Sequence, residues 1–567
     1  MNYRHNHINN ATIRGVLVSD FNIEPLNGYL NNNEQPPSVM SVVAPFGQVI
    51  QTLVDTNNEI WSEFNDFALV WTRPEGVLDS FARALDFRCV PIENMLAEVE
   101  DFVSAIEQIR LKVKTILVPT WVIPSFWHGY GMINMRKDLG LMNVLMQMNL
   151  HLAEKLESVQ NAFLLNSERW VMAAGREAFN PKLWYLGKIA FGNKVFKEAV
   201  NDIKSALQGI RGNSRKIIIV DLDETLWGGI VGDAGWENLC LGGHDPIGEA
   251  YVDFQKALKS FTNRGVLLGI VSKNEEWIAF EAMEKNPEMV LKLDDFSGWK
   301  INWDDKVHNI IELMEELNLG LQSAVFIDDN PMERARVSEA LPEVLVPEWP
   351  NDKMLYRKVL LSLKCFDTPM MSDEDGARIK MYKTERKRER LKTSVSSPEE
   401  WLKTLKMKVL VETLNDRNIK RIVQLMNKTN QMNLSTRRMT ETELLNWTEI
   451  ENRHFLAFRV SDRFGDYGLT GIASMEHDGQ AGRMMDFILS CRVMGRKIEE
   501  VMLSVMTIHA NSLGLIRMEA KYLETPKNQP CHDFWKRSGF STDKANEIFT
   551  WELDVEYPKP NFVEIED

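Results

Sequence analysis

The chain has 567 residues, more than a single hydrophobic core accommodates, and its hydrophobic fraction of 44% is ordinary for a globular protein of two to three domains. Its 66 Lys and Arg residues against 81 Asp and Glu give a formal net charge of −15, so no basic footprint indicates a nucleic-acid partner. Five cysteines without CxxC spacing argue against a disulfide framework or a zinc site, and no apolar segment is long enough for a bilayer, so we expect a cytoplasmic protein without a membrane partner.

The N-terminal part alternates short apolar runs with helical patterns such as residues 139–156. This alternation is typical of βαβ units and predicts an α/β domain with a parallel sheet over residues 1–205. The predicted strands are residues 15–18, 40–43, 68–71, 115–118 and 162–165.

The first predicted strand ends at Ser19, the position at which a hydrolase of the SGNH type carries its nucleophile. The resemblance is partial, because Ser-Asp replaces Gly-Asp-Ser and no Asp-x-x-His follows before residue 200. A serine without a paired base is a weak nucleophile. We therefore expect this SGNH-like domain to dock or to scaffold, and we interpret His128, His151 and Asn134 as structural residues.

Residues 216–229, KIIIVDLDETLWGG, place two carboxylates directly after a β-branched apolar run. Residues 216–220 predict a strand buried on both faces, and open parallel sheets bind ligands at the carboxyl ends of such strands. The acidic pair is Asp221 and Asp223, with Thr225 at the next alternate position. Adjacent carboxylates are unfavourable unless a cation or substrate compensates them, so one can be a nucleophile and the other a general acid/base beside Mg²⁺.

A second apolar run, residues 266–271, predicts another buried strand. Its end carries a hydroxyl, an amine and an amide, from Ser272, Lys273 and Asn274. Such groups hold a phosphate, so they are candidate substrate contacts. Val271, which precedes them, has no group that could serve as a nucleophile.

A third run, residues 323–327, ends in Asp328 and Asp329, a pair that can complete a Mg²⁺ shell. Lys306 precedes this strand by a helix-length segment and can neutralise a phosphoryl group. The three polar strand ends together predict phosphoryl-transfer chemistry in a domain over residues 206–366.

Residues 367–400 are acidic, then basic, then rich in Ser and Pro, which is typical of a solvated linker. Beyond it, residues 401–556 predict a further α/β domain, and residues 557–567 predict a tail. The predicted strands of this domain are residues 455–460, 468–475 and 485–489. The turn that follows contains Arg492, Gly495 and Arg496 and leads into an amphipathic helix, whose N-terminal N–H groups can bind a phosphate or pyrophosphate.

The ordered strand ends resemble the haloacid dehalogenase (HAD) superfamily of aspartate-nucleophile phosphotransferases. This resemblance implies a Rossmann-like parallel sheet and Mg²⁺ as cofactor, with Asp221 as the nucleophile and Asp223 as the acid/base. It also implies phosphate contacts from Thr225 and Ser272 and a charge clamp at Lys306. The implied metal ligands are Asp221, Asp223, Asp328 and Asp329.

Longer segments are similar to the FkbH-like glyceryltransferase/phosphatase family. They are DLDETLWGGIVGDAGWENL, VSKNE, INWDDKVHNI, VFIDDNPMERARV, VPEWPND, NKTNQMNLSTRRMT, RVSDRFGDYGLTGI, LSCRVMGRKIEEVML and TPKNQPCHDFWKRSGF. The similarity implies that the glyceryl unit of 1,3-bisphosphoglycerate is moved onto the thiol of an acyl carrier protein, with loss of phosphate, for polyketide or related biosynthesis. One departure is Glu224, at a position where we expect Asn.

The turn near residue 495 resembles the coenzyme A loop of the GNAT acyltransferase fold, although Lys497 replaces its last small residue. A phosphopantetheine arm on the carrier protein is therefore the expected ligand. For transfer through an enzyme thioester we favour Cys491, with Cys240 and Cys531 behind it, because Cys491 precedes this turn and neighbours Arg492.

The resemblances together imply a three-domain α/β chain, in which a HAD-type sheet is flanked by an SGNH-like and a GNAT-like domain. Two other functions stay open. The chain could be a HAD-type phosphatase or acyl transferase in another pathway, such as surface-glycan biosynthesis. It could also be a module that only binds a carrier protein.

Overall fold

The structure is a computed structural model that describes residues 12–33, 35–63, 65–369, 397–525, 527–543 and 547–566. The chain forms two compact units, residues 1–208 and 209–567, and their division falls close to the predicted boundary at residue 205. Residues 370–396, most of the predicted linker, lie outside the described residues. Within those described ranges, every helix is too short or too polar to cross a membrane.

A five-stranded parallel sheet forms the centre of the first unit, in the order β2-β1-β3-β4-β5. Its strands are β1 (Ile13–Val18), β2 (Val39–Val43), β3 (Asn65–Val70), β4 (Val113–Pro119) and β5 (Ala162–Leu165). Each predicted strand overlaps one of them, which confirms the parallel α/β fold of this part. The helices are α1 (Glu24–Asn32), α2 (Val49–Val54), α3 (Pro74–Val77), α4 (Asp79–Leu85), α5 (Ile92–Gln108), α6 (Leu141–Leu156), α7 (Ser167–Ala174), α8 (Pro181–Gly187) and α9 (Asn193–Ile210).

The second unit contains a four-stranded parallel sheet in the order β8-β7-β6-β9. Its strands are β6 (Ile217–Val220), β7 (Leu267–Ser272), β8 (Gly298–Ile301) and β9 (Ala324–Ile327). β6 is buried on both faces, because Ile218 and Val220 pack into one hydrophobic cluster and Ile217 and Ile219 into another. The helices of this part are α10 (Val231–Ala234), α11 (Pro246–Asn263), α12 (Glu276–Lys285), α13 (Lys306–Glu316), α14 (Pro331–Ala340) and α15 (Tyr356–Ser362).

A larger mixed sheet follows, in the order β16-β17-β15-β14-β13-β12-β10-β18, with β11 paired to β14. Most neighbours are antiparallel, whereas β14 with β15 and β10 with β18 are parallel. The strands are β10 (Met407–Thr413), β11 (Met432–Asn433), β12 (Arg453–Asp462), β13 (Gly465–Asp478), β14 (Ala481–Leu489), β15 (Arg517–Lys521), β16 (Ser541–Thr542), β17 (Ile548–Glu552) and β18 (Val563–Glu566). The helices are α16 (Pro398–Leu405), α17 (Ile419–Lys428), α18 (Glu441–Thr448), α19 (Ile498–Ser512) and α20 (Gln529–Arg537).

The C-terminal residues depart from the predicted tail at residues 557–567. β18 pairs in parallel with β10, from Met407 beside Val563 to Leu410 beside Glu566. Tyr557 is also buried, and its hydroxyl donates a hydrogen bond to the carbonyl oxygen of Ser538 at 2.9 Å. The segment is therefore part of the mixed sheet. The strand is only four residues long and two of them are exposed glutamates, so its sequence did not indicate a buried strand.

Candidate active site

Three carboxylates converge at the carboxyl edge of the four-stranded sheet. β6 and β9 are parallel neighbours with Val220 beside Ile327, so the residues that follow them, Asp221 and Asp328, lie side by side. One carboxylate oxygen from each of Asp221, Asp328 and Asp329 lies within 4.8 Å of the others. The first two residues are buried, and Asp329 is half-buried. The register of two parallel strands thus brings the predicted acidic residues together.

Lys306 neutralises part of this charge. It is the first residue of α13, and its Nζ lies 2.8 Å from Asp221 Oδ2 and 2.6 Å from Asp328 Oδ2. Burial lowers the pKa of Lys306, but the two carboxylates outweigh burial and the net pKa is raised, so the amine stays charged. Burial and the neighbouring Asp221 charge raise the pKa of Asp328 to about 6, although Lys306 opposes them. Lys353 Nζ lies 3.8 Å from Asp329 Oδ2, so two ammonium groups face three carboxylates and the cluster keeps an excess of negative charge.

This cluster fits a hard divalent cation. The Oδ1 atom of Asp221 is buried and has no hydrogen-bond partner among the described residues. A buried carboxylate oxygen without a partner is unfavourable, and Mg²⁺ takes oxygen ligands such as these. Asp221, Asp328 and Asp329 are the residues that would hold it.

Asp223 lies outside this group of three carboxylates, and its role as a metal ligand stays a prediction. Its Oδ1 accepts hydrogen bonds from the Trp227 indole at 2.8 Å and the Val231 amide at 3.1 Å. Its Oδ2 accepts one from the Asn274 side chain at 2.9 Å. Burial raises the pKa of Asp223 in spite of these donors, which suits a carboxyl group that gives and takes a proton.

The predicted phosphate contacts separate into two sets. Thr225 and Ser272 are buried at the acidic edge of the sheet, and Thr225 Oγ1 accepts the Asp329 amide at 3.1 Å. Lys273 is exposed and its Nζ pairs with Glu333 Oε1 at 2.7 Å. Asn274 serves Asp223 as described above. The structure therefore favours Thr225 and Ser272 over Lys273 as groups near a bound phosphate.

Arg334 is a candidate site residue that the sequence analysis missed. Its Nη1 donates hydrogen bonds to the carbonyl oxygens of Asp328 and Asp329, at 2.7 and 2.6 Å. Arg334 lies in the first turn of α14, where a cation opposes the helix dipole. A basic residue near a helix N-terminus, just after the acidic pair Asp328 and Asp329, is the feature of the sequence that could have indicated this contact.

Replacing Arg334 by Met is expected to weaken Mg²⁺ binding about 10- to 100-fold, because outer-shell partners fix the orientation of metal ligands. Isothermal titration calorimetry with MgCl₂ would measure the change. Lys285→Met, which removes an exposed ion pair with Glu281, serves as the control. Equal Mg²⁺ affinity in wild type and Arg334→Met would contradict this role.

Two donors of the predicted anion-binding turn of the mixed sheet, the Gly495 amide and the Arg496 side chain, are already engaged. The Gly495 amide donates to Glu499 Oε1 at 2.8 Å. Arg496 is buried, donates to the Tyr467 hydroxyl and lies 5.8 Å from the ring centroid of Trp401. A carboxylate of the chain itself thus occupies the turn where a phosphate was predicted. The contacts of Gly495 and Arg496 do not favour their predicted role in substrate binding, whereas Arg492 is half-buried beside them.

Burial raises the pKa of Glu499 to about 7 from an ordinary 4.5. Between these values the folded protein binds more protons than the unfolded chain, so stability falls as pH rises through that window. Glu499→Gln removes this effect, and we expect the variant to be more stable than wild type by about 2–3 kcal/mol at pH 8. Urea unfolding at pH 5 and pH 8 would test it. A gain of equal size at both pH values would contradict the assignment.

A two-residue strand, β11, also fills the gap that opens where the pairing of β14 with β15 ends. These parallel strands pair only from Ala481 to Met484, and β14 continues to Leu489. β11 pairs there instead, with Met432 beside Leu489 and Asn433 beside Ile488. An extended ligand such as a pantetheine arm would have to displace these buried residues to reach the β14 backbone.

The three candidate thiols differ in their surroundings. Burial raises the pKa of Cys240 to about 11, with help from the Asp245 carboxylate, and burial raises that of Cys531 to about 12. Both are poor nucleophiles. Cys491 is half-buried in a short turn, and its carbonyl oxygen accepts a hydrogen bond from the Asn318 side chain at 2.7 Å. The structure thus leaves Cys491 as the favoured thiol.

The position of Cys491 also separates it from the acidic cluster. Asn318 follows α13, whose first residue is Lys306. The 11 residues of α13 span about 16 Å at 1.5 Å per residue. The Cys491 turn and the acidic cluster therefore lie at opposite ends of one helix.

Within the part of the chain that the structure describes, Ser19 is not joined to a histidine and an acid in a hydrolytic triad. It is buried, and its Oγ accepts the Phe21 amide at 3.2 Å. The neighbouring Asp20 is held by Arg73, through the backbone amide at 2.8 Å and Nε at 2.9 Å. Among the described residues no hydrogen bond joins Ser19 to a histidine, and His151 instead contacts Glu100 at 3.0 Å. Docking or scaffolding by this domain stays a prediction.

The chain is similar to a solved structure, the N-terminal part of the protein BF1531 from Bacteroides fragilis, which contains a phosphatase domain complexed with Mg. The two are 27% identical, with a TM-score of 0.57, over 64% of this chain and 95% of that one. No protein-family model matches the chain, and no curated protein matches it. The chain is a multi-domain α/β protein with parallel sheets and a mixed sheet.

Two acetyltransferase structures align with about a quarter of the chain. PaiA N-acetyltransferase from Thermoplasma acidophilum, in complex with coenzyme A, is 12% identical over 25% of this chain and 98% of that one, with a TM-score of 0.20. Spermidine N-acetyltransferase from Vibrio cholerae is 14% identical over 26% of this chain and 97% of that one, with a TM-score of 0.22. At these scores neither carries a functional argument.

Proposed function

We propose that the chain is a Mg²⁺-dependent phosphatase of the HAD type. The observation that carries the proposal is the buried cluster of Asp221, Asp328, Asp329 and Lys306, with an unpartnered Asp221 Oδ1. The similarity to a phosphatase-containing part of BF1531 supports it.

In the proposed reaction a carboxylate oxygen of Asp221 attacks the phosphorus atom of a phosphate ester. The bond to the leaving oxygen breaks, and Asp223 gives that oxygen a proton. Water, deprotonated by Asp223, then attacks the aspartyl-phosphate, which releases inorganic phosphate and restores Asp221. Lys306 holds Asp221 in place throughout. A Mg²⁺ held by the three carboxylates would neutralise charge on the transferring group.

For the substrate we propose a glyceryl unit from 1,3-bisphosphoglycerate, loaded onto an acyl carrier protein, as the FkbH-like sequence similarity implies. The thiol of the phosphopantetheine arm attacks the acyl carbon and displaces the 1-phosphate. In the alternative route the Cys491 thiol displaces the 1-phosphate first, and the arm thiol then attacks the enzyme thioester and releases Cys491. The 3-phosphate is then removed at Asp221. The distance along α13 between the Cys491 turn and Lys306 supports a tethered substrate, because a mobile arm can serve two separate centres.

The surroundings of the acidic cluster support a large substrate as well. Trp277 and Trp303 are 66% and 68% exposed, three residues from Asn274 and Lys306, and Met332 is 75% exposed, three residues from Asp329. Large exposed apolar side chains so close along the chain to residues of the polar site suit contact with a partner, if they form one contiguous patch. A small free metabolite would leave them uncovered.

The test is intact mass spectrometry of a holo carrier protein incubated with the enzyme, Mg²⁺ and enzymatically generated 1,3-bisphosphoglycerate. A gain of one glyceryl group without phosphate is the expected result. Phosphate release with no acylation would leave a phosphatase and reject loading of that carrier. If neither an acylated carrier nor free phosphate forms, both parts of the proposal are rejected.

A second function is favoured by the mixed sheet. Glu499 occupies the predicted phosphate turn and β11 fills the edge of β14, which suits a domain that binds a carrier protein without acyl chemistry of its own. The chain would then act as a phosphatase on carrier-bound substrates of another pathway, such as surface-glycan biosynthesis. The mass of the holo carrier protein distinguishes the two, since only the first function adds a glyceryl group to the pantetheine thiol, and Cys491→Ser then shows whether that transfer passes through the enzyme.

A further inference from the structure

The segment that carries the proposed acid/base contains a backbone conformation that its sequence does not favour. Glu224, between Asp223 and Thr225, has a φ of +57°. Left-handed backbone is common for Gly and tolerated by Asn, but it is unfavourable for a residue such as Glu. Some contact must therefore hold Glu224 in this conformation.

Three polar donors converge on the carbonyl oxygen of Glu224. They are Lys353 Nζ at 2.8 Å, the Tyr251 hydroxyl at 3.2 Å and the Tyr356 hydroxyl at 3.4 Å. Both tyrosines are 1% exposed, so their positions are fixed by packing. The Glu224 side chain is held as well, because its Oε1 accepts the Gly229 amide at 2.6 Å.

Lys353 is the member of this set that also reaches the acidic cluster. Its Nζ lies 3.2 Å from Glu224 Oε2 and 3.8 Å from Asp329 Oδ2. Its side chain is 21% exposed. Burial lowers the pKa of Lys353, but contacts with Tyr356, Asp329 and Glu224 outweigh burial and the pKa is raised, so the amine keeps its charge.

We infer that Lys353 is a positioning residue of the phosphoryl-transfer site, one that holds Glu224 in the left-handed conformation. It thereby fixes the neighbouring Asp223 in its hydrogen bonds with Trp227 and Asn274, and Thr225 in its contact with the Asp329 amide. The inference rests on the proposed phosphatase function. The family resemblance leads us to expect Asn at position 224, and Asn adopts the left-handed backbone more readily than Glu. The contact from Lys353 therefore explains how Glu224 can keep this backbone conformation.

The test compares Lys353→Met in two backgrounds, wild type and Glu224→Asn, with p-nitrophenyl phosphate and Mg²⁺ as the probe. In the wild-type background we expect kcat to fall about 10- to 100-fold with little change in KM. In the Glu224→Asn background the same substitution should cost only about threefold, because Asn adopts the left-handed backbone more readily. Lys353→Arg keeps the charge and the donors and should restore most of kcat.

Equal losses of kcat in both backgrounds would overturn the inference, as would a change confined to KM, because either points to direct contact with substrate. Lys358→Met, an exposed lysine of α15, is the matched control. Hydrogen exchange of residues 222–229 adds a readout that needs no turnover. Lys353→Met should accelerate it even if wild type proves inactive on every phosphate ester, and unchanged exchange would overturn the inference independently of the proposed function.

Discussion

Asp221→Asn is expected to abolish phosphate release, with a loss of kcat of at least about 10⁴-fold, as for other removed nucleophiles. The amide is a much weaker nucleophile, and it offers Lys306 Nζ, 2.8 Å from the original Oδ2, a neutral partner. The measurement is single-turnover release of phosphate from p-nitrophenyl phosphate with Mg²⁺. Wild type should also gain the mass of one phosphoryl group during turnover, and the variant should not.

Asp223→Asn is the matched variant, since it preserves the buried metal group and removes only the acid/base. Its kcat should fall by about 10²–10⁴-fold, and phosphoenzyme should accumulate with an activated ester because the second step lacks its base. Residual turnover in Asp221→Asn close to wild type would reject Asp221 as the nucleophile. Thermal unfolding of both variants checks that the sheet is intact.

Lys306→Met is expected to destabilise the second unit by about 3–5 kcal/mol without Mg²⁺, because removal of one partner leaves buried charges uncompensated. The Lys306 side chain is 4% exposed, and Asp328, one of its two partners, is 0% exposed. Mg²⁺ should restore part of the loss, since a divalent cation replaces the missing positive charge. Urea unfolding with and without Mg²⁺ measures both effects.

Lys256→Met is the control for that comparison, because Lys256 forms an exposed ion pair with Asp253 at 3.2 Å. Exposed pairs of this kind contribute about 0–1 kcal/mol. Hydrogen exchange of β6 and β9 would locate the effect of Lys306→Met at the acidic edge. A loss no larger than that of Lys256→Met would contradict the structural importance of this buried amine.

The sequence predicted the acidic cluster because strand ends can be read from composition. The apolar runs end directly before Asp221 and Asp328. Parallel pairing of the two strands then places these two residues side by side. The pattern could not show which oxygens each carboxylate offers. Asp223 follows Asp221 by two positions, yet hydrogen bonds from Trp227, Val231 and Asn274 turn its carboxylate away from the metal group.

Tertiary contacts explain the other differences. The turn before α19 has the composition of an anion site, but Glu499 lies one helical turn beyond Gly495 and accepts its amide. β11 is only two residues long, Met432 and Asn433, too short for any periodic signal. The formation of such a short strand depends on the neighbouring strand with which it pairs and not on the pattern of its own residues.

The pairing of β18 with β10 has a practical consequence for the C-terminus. β10 alternates buried and exposed residues, with Met407 and Val409 buried and Lys408 held by Glu564 and Glu566. Truncation before residue 563 would leave this strand as a bare sheet edge, a template for edge-to-edge aggregation. Shortened versions designed to isolate the phosphatase should therefore remove the whole mixed sheet, and purification tags belong beyond the last paired residue.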